Sequence, residues 1–318
     1  MSSITLSYAG SLLDRASALR KDPSWVEKQL ADPDSLIIPF WRGQIAVHML
    51  GDRELDHQPL LIRSEDFQKI PLDAEFTVYL GQENRHAIFA MDFSSLEEHD
   101  FPFVKEEARL QDLRQAVHTL DPSHSAMLGF GKSILHWHRH HRFCGKCGHP
   151  TVSKYGGHMR ECTNPDCNEQ GFPRIDPAVI MLVTSTCETT GEARCLLGHS
   201  SRFPHKVYST LAGFVDPGES LEEAVAREIL EEAGIKVGNI SYRGSQPWPF
   251  PSQIMLGFRA EAKNNEICID QDELVDARWF SAAELRQGGD WGDESYDLWL
   301  PRKDSIARFL INEWLAEH

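Results

Sequence analysis

Short apolar or alternating runs mark the first third of the chain. SLIIPF, QIAVHML, PLLIRS, EFTVYLG and HAIFAMDF are separated by Gly, Asp, Asn and Pro, which predicts a small β-rich domain over residues 1–139. Two stretches with helical spacing follow, EEARLQDLRQAVHTL (106–120) and AMLGFGKSILHWHRHH (126–141), and a cysteine cluster then interrupts the periodicity. From Pro173 onward the pattern changes. AVIMLVTS and ARCLLGH read as strands, a glutamate-rich helix follows, then QIMLGFRAEA and ARWFSA as strands and SIARFLINEWLAEH as a last helix. The whole is an α+β or α/β chain with a β-rich N-terminal domain (1–139), a cysteine module (140–172) and a C-terminal α/β domain (173–318). No internal repeat or low-complexity segment is visible.

Composition narrows the class. The chain has 318 residues, 41% hydrophobic and 25% charged, enough for two domains and a small appendage. A formal charge of -16 repels polyanions over most of the surface and speaks against a DNA-coating role. The apolar run Ala178–Val183 is far short of the roughly 18 residues of a membrane span. MSSITLSYAG lacks the basic and apolar regions of a secretory signal, so the expected compartment is the cytoplasm.

Seven cysteines is an odd count, and four of them fall between Cys144 and Cys167. Cys144-x2-Cys147 and Cys162-x4-Cys167 place two thiolate pairs on tight turns that can close one tetrahedral shell, with Gly145 and Gly148 supplying the permissive backbone. Four soft ligands and no open position suit a structural Zn²⁺. The shell being full, His138, His140 and His141 of HWHRHHRFC are expected to be mostly solvated helix residues. Six Lys or Arg against three acids between Arg139 and Arg174 keep an RNA-linked role open without arguing for one.

GFVDPGESLEEAVAREILEEAGI, Gly213–Ile235, carries the chemistry. Ser220 with Glu223 is a capping box and Gly234 a fitting C′ residue, so a helix from Leu221 to Ala233 is predicted. Val225, Ala226, Ile229, Leu230 and Ala233 would face a sheet, while Glu228, Glu231 and Glu232 share an arc of roughly 100°. Glu228 and Glu232 are an i, i+4 like-charge pair that costs a bare helix about 0.2–0.5 kcal/mol. A divalent cation removes that penalty, and hard carboxylate oxygens without neighbouring thiol or imidazole favour Mg²⁺ or Mn²⁺.

Gly213-x5-Glu219-x7-Arg227-Glu228-Ile229-x-Glu231-Glu232-x-Gly234-Ile235 resembles the Nudix box of the Nudix hydrolases, which cleave a nucleoside diphosphate linked to another group. The resemblance implies an α/β/α sandwich with a mixed sheet. It makes Glu228, Glu231 and Glu232 metal ligands, with the carbonyl of Ala212 a further one, and pairs Arg227 with Glu219. Glu231 or Glu232 is the candidate general base.

Ten residues later SQPWPFPSQ, Ser245–Gln253, stiffens Trp248 and Phe250 with prolines at 247, 249 and 251. This stretch is similar to the signature of the NADH pyrophosphatase subfamily through Pro251 and departs from it at Gln253, where the pattern has Ser, with Ser252 one place early. That subfamily has a β-rich, rudimentary Nudix-like N-terminal domain, a four-cysteine zinc ribbon and a Nudix domain. Carried over residue by residue, it implies substrate contacts at Arg114, Phe172, Phe214, Gln246, Pro247, Trp248, Pro249, Phe250, Pro251, Ser252, Gln253 and Ala307, and a further metal ligand at Glu273. The expected reaction is hydrolysis of the pyrophosphate of NADH and NAD⁺ to AMP and the nicotinamide mononucleotide. Removal of a 5′-NAD cap from RNA, or action on ADP-ribose or dinucleoside polyphosphates, are the alternatives. A homodimer is expected from the same resemblance.

Overall fold

The computed structural model describes residues 6–49, 57–70, 74–103 and 108–318. Two compact units result, one comprising the chain up to Ile175 together with Pro247–Ser252, the other Asp176–Gln246 with Gln253–His318.

In the first unit the elements are α1 (Pro23–Ala31), β1 (Leu36–Trp41), β2 (Gln44–Met49), β3 (His57–Pro59), β4 (Ile62–Arg63), α2 (Ser64–Phe67), β5 (Phe76–Glu83), β6 (His86–Asp92), β7 (Ala108–Gln111), α3 (Leu113–Ala116) and α4 (Pro122–His140). Strand β1 is buried almost throughout, and its alternate side chains serve two cores. Ile38 and Phe40 pack with Val78, Leu80, Ile88 and Met127, Leu128 and Ile134 of α4. Ile37 and Trp41 pack with Met91, Phe93, Phe101 and Phe103. Helix α4 starts where Asp121 accepts from the Ser123 amide at 2.8 Å, with Pro122 in the first turn.

The predicted helix over 106–120 is corrected. Among its described residues, Ala108–Gln111 form β7, antiparallel to β2, and only a short helical turn follows once Asp112 caps Arg114. Local helix propensity in ARLQ yields here to pairing with β2.

A three-stranded ribbon follows, made of β8 (Thr151–Lys154), β9 (Met159–Cys162) and β10 (Gln170–Gly171), paired in the order β10-β9-β8. It joins the first unit through a histidine the sequence placed in solvent. His138 is fully buried. One of its ring nitrogens, Nε2, lies 2.8 Å from the Gly157 carbonyl and the other, Nδ1, 2.8 Å from the Arg160 guanidinium, as suits a neutral ring donating from Nε2 and accepting at Nδ1. Arg160 also donates to Thr151 Oγ1 at 2.6 Å and to its carbonyl at 2.7 Å. Buried polar groups paired in this way cost little, which is how a histidine in a charged run ends inside.

The second unit contains β11 (Asp176–Thr186), β12 (Ala193–His199), β13 (Leu211–Phe214), α5 (Leu221–Ala233), β14 (Val237–Trp248), β15 (Gln253–Ala262), β16 (Asp276–Ser281), α6 (Ala282–Arg286) and α7 (Ile306–Leu315). The sheet runs β14-β15-β11-β12-β16 with β13 on β11, and β11 and β15 are parallel. Val179, Met181, Val183 and Phe258 pack under Val225, Ile229 and Ala233 of α5. Gly257, the neighbour of Phe258, lies under Ile306 of α7, where a Cβ would come within 2.8 Å of the Ile306 side chain. The two helices therefore cover opposite faces, an α/β/α sandwich.

Although no repeat shows in the sequence, the two sheets repeat one topology. Strand β1 pairs antiparallel with β2 and β4 and parallel with β6, as β11 does with β12, β13 and β15. Strand β7 lies on β2 as β16 lies on β12. What differs is the helix after β4 and β13. In the first unit it is the four residues of α2, in the second the thirteen of α5.

Candidate active site

Helix α5 spans the predicted Leu221–Ala233. Ser220 Oγ accepts from the Glu223 amide at 3.3 Å, the Glu223 carboxylate accepts from the Ser220 amide at 2.7 Å, and Gly234 ends the helix at φ 69°. Its apolar face is shifted from the one predicted. Leu230 is 47% exposed, and Ala224 is fully buried instead. The rotation brings Glu228 and Glu232 to the sheet edge, where they are 9% and 5% exposed. Room for Glu228 comes from Gly213, since a Cβ there would lie 1.9 Å from the Glu228 carboxylate carbon.

A cleft of about 470 Å³ opens beside them. Glu228, Glu232, Glu273, Ala212, Phe214 and Gln253 all line it, so most of the sequence-assigned metal positions meet here. Burial, against the pull of Arg227, holds the Glu228 carboxyl above the usual carboxylate range. Burial and then the charges of Glu228, Glu273 and Glu231 push Glu232 up to about 8. Buried, crowded carboxylates that resist ionisation are the donor set a hard divalent cation fits.

Glu231 stands apart: it is exposed and bonded to Arg227 Nη1 at 3.0 Å. Arg227 is the hub of the loop before the helix. It donates to both Glu219 oxygens at 2.6 and 2.9 Å, to the Phe214 carbonyl at 2.8 Å and to Glu228 at 2.9 Å. Glu219 also accepts from the Asp216 amide at 3.0 Å. These bonds, the Arg227 pair first, lower the Glu219 carboxyl to about 2 and raise the Arg227 guanidinium further.

The proline-rich segment belongs to the first unit from Pro247 to Ser252. Trp248 and Phe250 are half-buried, 5.3 Å apart at 74°, and Tyr8 sets its edge against both at 6.0 and 5.5 Å. Arg114, carried over as a substrate contact, lies 4.2 Å from the Phe250 ring centre and 5.5 Å from that of Trp248. Pro249 is buried against Gly129, Pro251 accepts from Ser133 Oγ at 3.1 Å, Pro247 is exposed and Ser252 half-buried. Phe172, 61% exposed, precedes the first strand of the second unit.

Two assigned substrate positions are engaged internally. Gln246 is fully buried, donating to the Asp304 carbonyl at 2.7 Å and accepting from the Ile306 amide at 2.8 Å. Ala307 is buried at 5% exposure within α7. Sequence reasoning missed Tyr8 and the cleft wall of Ser200, Arg202, Phe203, Ser209 and Thr210. SSRFPHK lies between two strands, and nothing in its spacing marks a ligand.

The four cysteines of the ribbon bring their Sγ atoms within 4.8 Å of one another, Cys147 and Cys162 at 3.4 Å and Cys144 and Cys167 at 3.9 Å. Sulfurs about 2.3 Å from a common tetrahedral centre would have this spacing, so the set fits zinc. The wider second pair closes because Cys167 folds back to donate to the Asn164 carbonyl at 3.0 Å.

Comparison with known proteins agrees. The NUDIX domain family matches residues 176–300, the NADH pyrophosphatase-like rudimentary NUDIX domain 34–137, and the NADH pyrophosphatase zinc ribbon domain 139–172. The NAD-capped RNA hydrolase NudC of Stutzerimonas stutzeri is 42% identical over 86% of this chain and 90% of its own. The NAD-capped RNA hydrolase NUDT12 of Homo sapiens is 31% identical over 97% of this chain and 73% of its own. The repeated topology and the four-cysteine ribbon have their counterparts in these matches, and the chain belongs to the Nudix hydrolases, in the zinc-ribbon NADH pyrophosphatase subfamily.

Proposed function

We propose that the protein hydrolyses the pyrophosphate of NADH, and of NAD⁺, to AMP and the nicotinamide mononucleotide. The observation that carries the reading is the convergence of Glu228, Glu232 and Glu273 with Ala212 on one cleft of a Nudix fold. Mg²⁺ or Mn²⁺ bound there would neutralise phosphoryl oxygens and make a water more acidic. Glu228, Glu232, Glu273 and the Ala212 carbonyl are the proposed ligands. Glu232 lines the cleft and Glu231 does not, which favours Glu232 over Glu231 for receiving the proton of the attacking water. Glu231 and Glu219 hold Arg227, which keeps the loop and Glu228 in place. Trp248 and Phe250 supply ring faces for a base, with Arg114 beside them.

The names of the relatives support a second reading, removal of a 5′-NAD cap from RNA, which breaks the same bond with a chain attached to the adenosine. Seven unbridged cysteines accord with a reducing cytoplasm. No described helix is long and apolar enough to cross a membrane. The homodimer rests on family resemblance alone. A competition among NADH, NAD⁺, ADP-ribose and a 5′-NAD-capped RNA oligomer, with Mg²⁺ or Mn²⁺ and products resolved by chromatography, separates the readings. Fast AMP and reduced mononucleotide from NADH support the first, and fast 5′-monophosphate RNA beside slow dinucleotide turnover supports the second.

A further inference from the structure

We infer that Arg202 binds the phosphoryl group that leaves when the diphosphate is cut, a role that rests on the reading of this cleft as a diphosphate site. Four carboxylates line the cleft, Asp216, Glu228, Glu232 and Glu273, and Arg202 is the one lysine or arginine among the described lining residues. A divalent cation held by Glu228, Glu232 and Glu273 would neutralise the attacked phosphoryl. The second phosphoryl would meet an acidic wall without another positive group.

Its charge also grows during the reaction. The water oxygen bonds to the attacked phosphorus, the water proton passes to a carboxylate, and the P–O bond to the bridging oxygen breaks. That oxygen leaves on the second phosphate with the electron pair, adding one negative charge to it. A cation at that place stabilises the transition state more than the bound substrate.

Arg202 is available for this. Arg227, Arg243, Arg259, Arg278 and Arg308 of the same unit are each ion-paired, whereas Arg202 makes no ion pair among the described residues and is exposed. Its loop, between β12 and β13, is nevertheless held. Phe203 meets Trp291 edge to face at 5.7 Å, its amide donates to the Ser200 carbonyl at 3.0 Å, and Lys206 pairs with Glu294 at 3.1 Å. The guanidinium can therefore reach the cleft without the loop having to order first.

The test compares wild type, R202K and R202Q with NADH and Mg²⁺, and measures binding of inorganic pyrophosphate in Ca²⁺ by calorimetry. R202Q is expected to lower kcat/KM about tenfold to a hundredfold, mostly through kcat, and to weaken pyrophosphate binding about tenfold, with R202K between. Circular dichroism melts like that of wild type show that the variants fold. Values for R202Q within twofold of wild type in pyrophosphate binding would overturn the inference, whatever its NADH rate. If wild type does not cleave NADH, the functional reading fails, and the pyrophosphate measurement still decides whether Arg202 holds a phosphate.

Discussion

The Glu228 carboxylate lies against the Cα of Gly213, leaving no space for a side chain there. Both residues belong to the box motif, one on β13 and one on α5, and their contact sets where the carboxylate enters the cleft. Gly213→Ala should leave the fold intact, because the group it strikes is the end of a flexible side chain. It should displace Glu228 by an ångström or more, and kcat/KM should fall about a hundredfold. Mn²⁺ titration followed by electron paramagnetic resonance should show weaker binding in the variant. Unchanged affinity and rate would mean that Glu228 does not need this position.

Acid should destabilise the first unit through the buried His138 and the partly buried His158. Burial lowers His138 to about 4 from an ordinary 6.5, with Arg160, His158 and His141 adding repulsion and the Gly157 carbonyl opposing them. His158 is lowered to about 4 likewise, burial again leading. Between pH 6.5 and 4 the unfolded chain takes up protons that the folded chain refuses, so stability falls as pH drops through that window and levels off below it. For His138 the loss is on the order of 3 kcal/mol. Urea midpoints from pH 7.5 to 4.5 should fall less steeply in His138→Gln than in wild type. Parallel curves would contradict this.

The ribbon should carry one tightly bound zinc per chain, measurable by elemental analysis. Chelation, or Cys162→Ser, should unfold β8 to β10 and release the Arg160 contacts to His138, lowering the first melting transition. Full retention of that transition in zinc-free protein would show that the ribbon folds without metal.

Strands β11, β12, β15 and β16 of the second unit were legible as apolar or alternating runs bounded by turn residues, and α5 because both of its caps are written in residue types, whereas the twelve-residue β14, polar over much of its length, was not read as a strand. The carboxylates on α5 could be read from helical spacing. Glu273, from the segment before β16, was reached by resemblance alone, because no local period links it to the helix. His138 was misread because hydropathy cannot see Gly157 and Arg160 arriving from the ribbon to pair its ring. Leu230 was misplaced because the face of α5 is set by the sheet beneath it and by the demand that Glu228 and Glu232 reach the cleft. The repeated topology was reached only through the subfamily resemblance, with its rudimentary Nudix-like N-terminal domain, because strand order, not residue identity, is what the two units share. Arg202 lies on a loop, where sequence has no periodicity to read.

The most direct test is turnover of NADH by wild type and Glu232→Gln with Mg²⁺ or Mn²⁺, alongside equilibrium binding of NADH to both. The structure predicts AMP and reduced mononucleotide from wild type, a loss of roughly three orders of magnitude in kcat for the variant, and NADH affinity changed only severalfold. Equal rates in the two proteins, or binding without cleavage in wild type, would contradict a hydrolase built on the carboxylates of this cleft.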